Sequence, residues 1–262
     1  MVDFLDKLAQ NAKETIKEGY YEVPKTAKPA GAPRISLKEA ILKCEHAPVI
    51  AEIKLASPSL GNIKKNVDVG NLAKAIETGG AVGISVLTEP KFFKGSLDFL
   101  AEARKQTKLP ILMKDIVLSP LQLDAANRIG ANAVLLIEAL FERGYCERDV
   151  HEMIAYAHSK GLEVLLEAHT EDEFLSALKT DADLIGINNR NLKTLKVDLG
   201  VTKKILQTIY PQGRTVVSES GIKKPDDISL LRKCGAHAFL IGSAVMKADD
   251  VAKKVEEFVA AL

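Results

Sequence analysis

The chain has no tryptophan, and its 262 residues include only three cysteines and 5% aromatic residues. Cys44, Cys146 and Cys234 are odd in number, far apart and without CxxC spacing. That excludes a disulfide framework and a zinc knuckle and fits a reducing compartment. An excess of charge of one sign is also missing. Lys plus Arg (36) nearly balances Asp plus Glu (35), with no long single-sign run, so neither nucleic acid nor an anionic membrane surface is expected as a partner. No apolar run reaches the length of a membrane span. The opening Met1-Val2-Asp3-Phe4-Leu5-Asp6-Lys7 carries acidic residues where a secretory signal needs a basic patch and an apolar run, so a cytoplasmic location is the expectation. The five histidines form no HxxxH or clustered pattern, and no metal site is expected.

What is present is 47% hydrophobic residues, enough for a sizeable core, in a chain near the usual length of an α/β barrel. Eight short apolar runs alternate with longer amphipathic segments, the pattern of parallel strands buried on both faces and joined by helices. They are Val49 to Lys54, Val82 to Leu87, Ile111 to Lys114, Ala133 to Ile137, Val164 to Glu167, Leu184 to Asn188, Thr215 to Glu219 and Ala238 to Ile241. Every second run follows a helix-ending phrase: Gly80-Ala81, Gly130-Ala131, Asp181-Ala182 and Gly235-Ala236. This repeat of two βα units, with no GxGxxG after the first run, favours a closed (β/α)8 TIM barrel over an open doubly wound sheet. The expected organisation is one domain over residues 1–262. Residues 1–45 form its N-terminal helical extension, with helices at Asp3 to Glu18 and Leu37 to Cys44.

Charged residues that close apolar runs mark the active end of such a barrel. Glu52 and Lys54 alternate in the first run and so share one face of the strand. Lys54, Lys114, Glu167 and Glu219 end the first, third, fifth and seventh runs at spacings of 60, 53 and 52 residues. Alternate strands fill the same layer, so these four side chains should converge at the mouth. Unpaired charges there would each cost several kcal/mol, which requires mutual pairing or a charged ligand. A lysine acid and a glutamate base in a partly dry site are equipment for proton transfer near neutral pH.

Other phrases point to the ligand. Ser220-Gly221 after the seventh run and Gly242-Ser243 after the eighth lie where barrels build phosphate sites from backbone N–H groups. Asn188-Asn189-Arg190-Asn191 adds amide donors and a guanidinium suited to an oxyanion. Phe92-Phe93 offers an aromatic face to a ring, with core packing as the plainer reading. His151 and His158 fall on an amphipathic helix and read as surface, and His169 reads as a loop hydrogen bonder ahead of a pocket residue.

Five phrases together resemble the barrel signatures of the indole-3-glycerol-phosphate synthase family. They are Glu52-Ile53-Lys54-Leu55-Ala56-Ser57-Pro58-Ser59, Lys114-Asp115, Ile185 to Leu192 around Asn188-Asn189-Arg190, Ser218-Glu219-Ser220-Gly221-Ile222, and Leu240-Ile241-Gly242-Ser243-Ala244. The resemblance implies a cofactor-free lyase of tryptophan biosynthesis. Its substrate would be 1-(2-carboxyphenylamino)-1-deoxyribulose 5-phosphate, which it would close, decarboxylate and dehydrate to indole-3-glycerol phosphate.

By the resemblance, Lys114 is the general acid and Glu167 the general base of dehydration. Glu52 and Lys54 orient groups and share proton transfer, while Asn188 and Glu219 position the substrate. Ser57 and Arg190 meet its anionic groups, and Gly221, Gly242 and Ser243 hold the phosphate; to these the reading of the residues themselves adds Phe93 against the ring and Ser220 beside the phosphate. The partner is a small phosphorylated molecule, with room for loose association with other enzymes of tryptophan biosynthesis. The sequence departs from the family at Ile116, where an aromatic residue is usual, and in lacking a tryptophan in the extension. Two rivals stand beside this reading. Phosphoribosylanthranilate isomerase would need a Cys and Asp pair at strand ends, and no cysteine closes a run here. A non-catalytic sugar-phosphate-binding barrel would have no use for two lysines and three glutamates at one mouth.

Overall fold

A computed structural model describes residues 3–23, 35–57, 61–62 and 67–262. Ten strands occur among them: β1 (Val49–Ile53), β2 (Ala56–Ser57), β3 (Gly61–Asn62), β4 (Gly83–Leu87), β5 (Ile111–Lys114), β6 (Ala133–Ile137), β7 (Glu163–Ala168), β8 (Leu184–Asn188), β9 (Val216–Glu219) and β10 (Ala238–Ile241). β2 and β3 pair only with each other, as a short antiparallel hairpin. The other eight close into a parallel barrel in the order β1-β4-β5-β6-β7-β8-β9-β10, with β10 returning to β1. This is the expected (β/α)8 barrel. Its strand boundaries differ from the sequence reading by at most one residue: Lys54 lies just past β1, and β7 runs on to Ala168.

The period of two along each strand divides the side chains between two cores. Val49, Ala51 and Ile53 of β1, Ile111 and Met113 of β5, and Val164 and Leu166 of β7 pack outward against the surrounding helices. Ile50, Leu112, Leu135, Leu165, Val217 and Leu240 fill the interior. The inward sequence of β5 continues from Leu112 to Lys114, that of β7 from Leu165 to Glu167, and that of β9 from Val217 to Glu219. A layer of apolar side chains thus supports a charged layer one pleat nearer the mouth.

The Gly-Ala phrases do what their composition predicts. Gly80, Gly130 and Gly235 have φ of +85°, +93° and +105°, the left-handed conformation that ends a helix and that side-chain-bearing residues disfavour.

The extension places its helix, Phe4–Lys17, on the barrel. Asp3 and Asp6 form a reciprocal capping box at its start. Leu5, Leu8, Ala9 and Ala12 are buried in one cluster with Ile116, Leu118, Leu140 and the barrel interior. At about 1.5–3 kcal/mol for each fully buried leucine, this apolar face is the main attachment of the helix. Arg143 adds a clasp from the barrel side, reaching Asp3 Oδ1 at 2.9 Å and Asp6 Oδ1 at 2.7 Å.

Candidate active site

The charges expected to converge do so. Lys114 Nζ lies 3.0 Å from Glu167 Oε2 and 2.8 Å from Glu219 Oε2. Lys54 Nζ lies 2.5 Å from Glu52 Oε1. Glu52, Glu167 and Glu219 are buried, and the Lys114 side chain is 15% exposed. The pairing that desolvation demands is therefore met within the protein before any ligand arrives.

Their proton affinities are pushed apart. For Lys114, burial disfavours the charged form, but the carboxylates of Glu167, Glu219 and Glu52 outweigh it and raise its pKa. For Glu167, burial is likewise overcome, here by Lys114 and His169, and its carboxyl is held below the usual carboxylate range. Glu219 goes the other way: burial, reinforced by the neighbouring Glu167, lifts it to about 7 against the pull of Lys114. A lysine held in its charged form, a carboxylate held in its charged form and a carboxyl whose ionisation is disfavoured therefore meet at a single point.

This cluster lines a cavity of about 670 Å³, the size range of small-molecule sites. On the side of β4 and β5 the cavity is bounded by Phe93, Ile116 and, from the N-terminal helix, Phe4, Leu5 and Leu8. On the side of β9 and β10 it is bounded by Ser220, Gly221, Gly242, Ser243 and Lys247, and Lys254 also reaches it. Ser220 and Gly221 have φ of +66° and +92°, and a left-handed serine is a strained conformation of the kind that gathers at functional sites.

Most residues singled out from the sequence line this one cavity: Glu52, Lys54, Phe93, Lys114, Glu167, Asn188, Arg190, Glu219, Ser220, Gly221, Gly242 and Ser243. The side chain of Ser57, with Pro58 and Ser59 of the same phrase, lies outside the described residues. Two expectations need correction. Asn189 and Asn191 do not line the cavity, and the Asn189 amide is used within the protein. Asn189 Nδ2 donates to Ser218 Oγ and to the Glu219 and Ser220 carbonyls, its Oδ1 accepts from Thr202, and Asn191 Oδ1 accepts from the Lys193 and Thr194 N–H groups. The Asn189 amide is consumed in tying the β8 and β9 loops together, while Asn191 Oδ1 holds a turn within the loop after β8. Phe92 does not line the cavity either; it takes the core-packing alternative, edge-on against Phe4 with ring centroids 5.6 Å apart.

The sequence reading missed Glu89. This buried carboxylate accepts from the backbone N–H groups of Lys91, Phe92 and Phe93 and from Asn11 Nδ2 at 2.8 Å, so it fixes the loop that carries Phe93 to the helix that covers the cavity. Asp115, next to Lys114, is a second buried carboxyl on the cavity wall. Burial lifts its carboxyl to about 6, although Thr88, the Ile116 N–H and the Tyr21 hydroxyl all donate to it. None of the three cysteines lines the cavity. Among the described residues no helix is long and apolar enough to cross a membrane.

The family model for indole-3-glycerol phosphate synthase matches residues 5–258. The chain belongs to that family. It is 39% identical to the indole-3-glycerol phosphate synthase of Carboxydothermus hydrogenoformans over 98% of this chain and 100% of that protein. It is 44% identical to that of Methanocaldococcus jannaschii over 86% of this chain and 84% of that protein. Among solved structures, an N-acetylmannosamine-6-phosphate 2-epimerase from Clostridium perfringens superposes with a TM-score of 0.61 at 16% identity, covering 80% of this chain and 90% of that one. That likeness is one of fold alone.

Proposed function

We propose that the chain catalyses the reaction its family is named for, as a decarboxylating lyase acting on 1-(2-carboxyphenylamino)-1-deoxyribulose 5-phosphate. The observation that carries the reading is the Lys114 ammonium held between Glu167 and Glu219 in a cavity with an apolar side and a phosphate-suited side. The aryl ring would lie against Phe93 and Ile116. The phosphate would lie against the backbone of Gly221, Gly242 and Ser243, with Ser220 and Lys247 alongside. Arg190, which spends one Nη1–H on the Leu195 carbonyl, faces the cavity as a contact for an anionic group.

In this arrangement Lys114 donates a proton to the ketone oxygen while the ring carbon bearing the carboxylate attacks the ketone carbon, closing a five-membered ring. The C–CO₂ bond then breaks, its electron pair returns to the ring, and CO₂ leaves. The new hydroxyl departs as water with a second proton from the lysines at the mouth. Glu167 takes a proton from the adjacent methylene carbon, whose electrons form the indole double bond. Two protons enter and one leaves, so the reaction consumes one proton in all. Asn188 and Glu219 hold the substrate, and the Glu52–Lys54 pair beside Gly242 orients groups and shares the proton traffic. A positioned acid or base contributes about 10²–10⁴-fold each.

A cytoplasmic location and loose association with other enzymes of the same biosynthesis belong to this proposal. The test is direct: purified protein with the carboxyphenylamino-deoxyribulose phosphate should generate indole fluorescence and CO₂ in equal amounts. Binding without product would favour a sugar-phosphate-binding barrel. Turnover of phosphoribosylanthranilate instead would favour the isomerase.

A further inference from the structure

His169 directly follows β7 and does not line the cavity, yet it touches the cluster that does. Its Nε2 lies 3.2 Å from Glu167 Oε1, the carboxylate oxygen that Lys114 leaves free, an ion-pair contact without the geometry of a hydrogen bond, while Asn188 also donates to Glu167. Its Nδ1 lies 3.2 Å from Glu173 Oε2, which also accepts the His169 backbone N–H at 2.7 Å. The side chains of His169 and Glu173 are 8% and 11% exposed. Glu173 is held in turn by the first turn of the Glu171–Ala177 helix, where its N–H donates to the Thr170 cap.

An imidazole between two carboxylates serves both only as the imidazolium, with a proton on each nitrogen. Burial alone would favour the neutral ring, but Glu167 and Glu173 override it and raise His169 to about 9. The charged groups around it are few. Lys114 stands behind Glu167 with Glu219 beyond, and Glu138 and Glu142 face Glu173 from the Glu138–Glu142 helix between β6 and β7.

We infer that His169 is a positioning residue: anchored by Glu173, its ring stands at ion-pair distance from Oε1 of Glu167 and so holds that carboxylate with Oε2 turned toward Lys114 and the substrate. It acts through Glu167 and touches no reacting atom. A base oriented by a third group is a recurring device of catalysis. This inference rests on the reading of Glu167 as the base.

The test measures kcat, KM and melting temperature of the full chain across pH for His169→Gln and Glu173→Gln, with Glu167→Gln as reference. His169→Gln should lower kcat by about tenfold or more while KM stays within about twofold. It should also move the acid limb of the kcat profile upward, because Glu167 loses a cation that favours its ionised form. Glu173→Gln keeps the imidazole but removes its anchor. The imidazolium, present in the wild type below about 9, should then be lost at lower pH, moving the alkaline limb down. A structural role alone would change melting temperature and leave both limbs in place. His169→Gln with kcat within threefold of wild type and an unmoved acid limb overturns the inference, and so does Glu173→Gln with an unmoved alkaline limb. Should His169→Gln not fold, the alkaline limb of Glu173→Gln decides. If Glu167→Gln keeps turnover, the assignment of the base is what fails. If Glu167→Gln collapses while the other two variants match wild type, only the inference about His169 fails.

Discussion

Gly186 makes the room that the carboxylate of Glu219 occupies: a Cβ at position 186 would collide with Glu219 Oε1 and lie 3.4 Å from the Glu167 backbone. Gly186 pairs with Glu167 on one side and Val217 on the other, so it stands between the two strands that supply the carboxylates around Lys114. Glycine inside a strand ordinarily weakens it and often marks a close approach. Here the approaching group is the Glu219 carboxylate, a side chain proposed to hold the substrate.

Gly186→Ala should therefore act on chemistry before stability. Its φ is not among the left-handed ones, so alanine can adopt the backbone and narrows the unfolded ensemble by about 0.4–1 kcal/mol, against a clash of roughly 1–3 kcal/mol. Relief of the clash requires Glu219 to turn away from Lys114. We expect kcat to fall about tenfold or more with a melting temperature close to wild type. A variant with wild-type kcat would show that the position of Glu219 does not matter to turnover.

Lys114→Met should be more severe. It removes the proposed acid and leaves Glu167 and Glu219 facing each other without the ammonium, and breaking a buried pair from one side costs about 3–5 kcal/mol. Turnover should drop by at least about 10²-fold at unchanged substrate saturation, since the aryl and phosphate contacts survive. Steady-state kinetics with kcat within threefold of wild type would remove Lys114 from its role.

Much of this was legible in the sequence because a barrel writes itself in two periods. Alternation along the strands told inward from outward residues, and the spacing of Lys54, Lys114, Glu167 and Glu219 said that they share a layer. What the sequence hid depends on burial and on contacts between distant segments. His169 looked like a loop residue because nothing in its neighbours reveals that Glu167 and Glu173 close on it from both sides. Asn189 looked like a ligand donor because a run of amides reads the same whether it binds a substrate or stitches two loops. Phe4, Leu8 and Glu89 were unreadable as cavity residues, since their place depends on how the extension docks.

Asp115 gives a prediction about pH and stability. Its carboxyl sits at about 6 in the folded protein against an ordinary 3.8, so the native state binds an extra proton across that window. An acid whose folded pKa is raised contributes most below its unfolded pKa, and the contribution declines as pH rises through the window. Asp115→Asn keeps an acceptor for Tyr21 and the Ile116 N–H but cannot ionise. Relative to wild type, the variant should gain stability between about pH 4 and pH 7, by up to roughly 3 kcal/mol for a shift of about two units. Urea midpoints at the two pH values measure it. A difference between variant and wild type that does not change with pH would show that Asp115 titrates as an ordinary carboxyl.

The phosphate site tests fold and ligand together. Gly242 has an ordinary φ of −110°, and a Cβ there would meet Glu52 Oε1 at 2.5 Å and Lys54 Nζ at 3.0 Å. Gly242→Val would therefore disturb the Glu52–Lys54 pair as well as any phosphate, which makes Lys247→Met the cleaner probe. Lys247 lines the cavity just after the Ser243–Met246 helix and carries a charge that a phosphate would use. Inorganic phosphate should bind the folded chain selectively and raise its melting temperature by an amount set by RT ln(1 + [L]/Kd), roughly 2.7 kcal/mol at about 100 times Kd. Chloride at equal ionic strength should give little of this, since it cannot engage several N–H donors at once. Lys247→Met should shrink the phosphate increment and leave the chloride response as it was. Equal stabilisation by chloride and phosphate, or an undiminished phosphate response in Lys247→Met together with Ser243→Ala, would mean that the loops after β9 and β10 do not hold the substrate's phosphate.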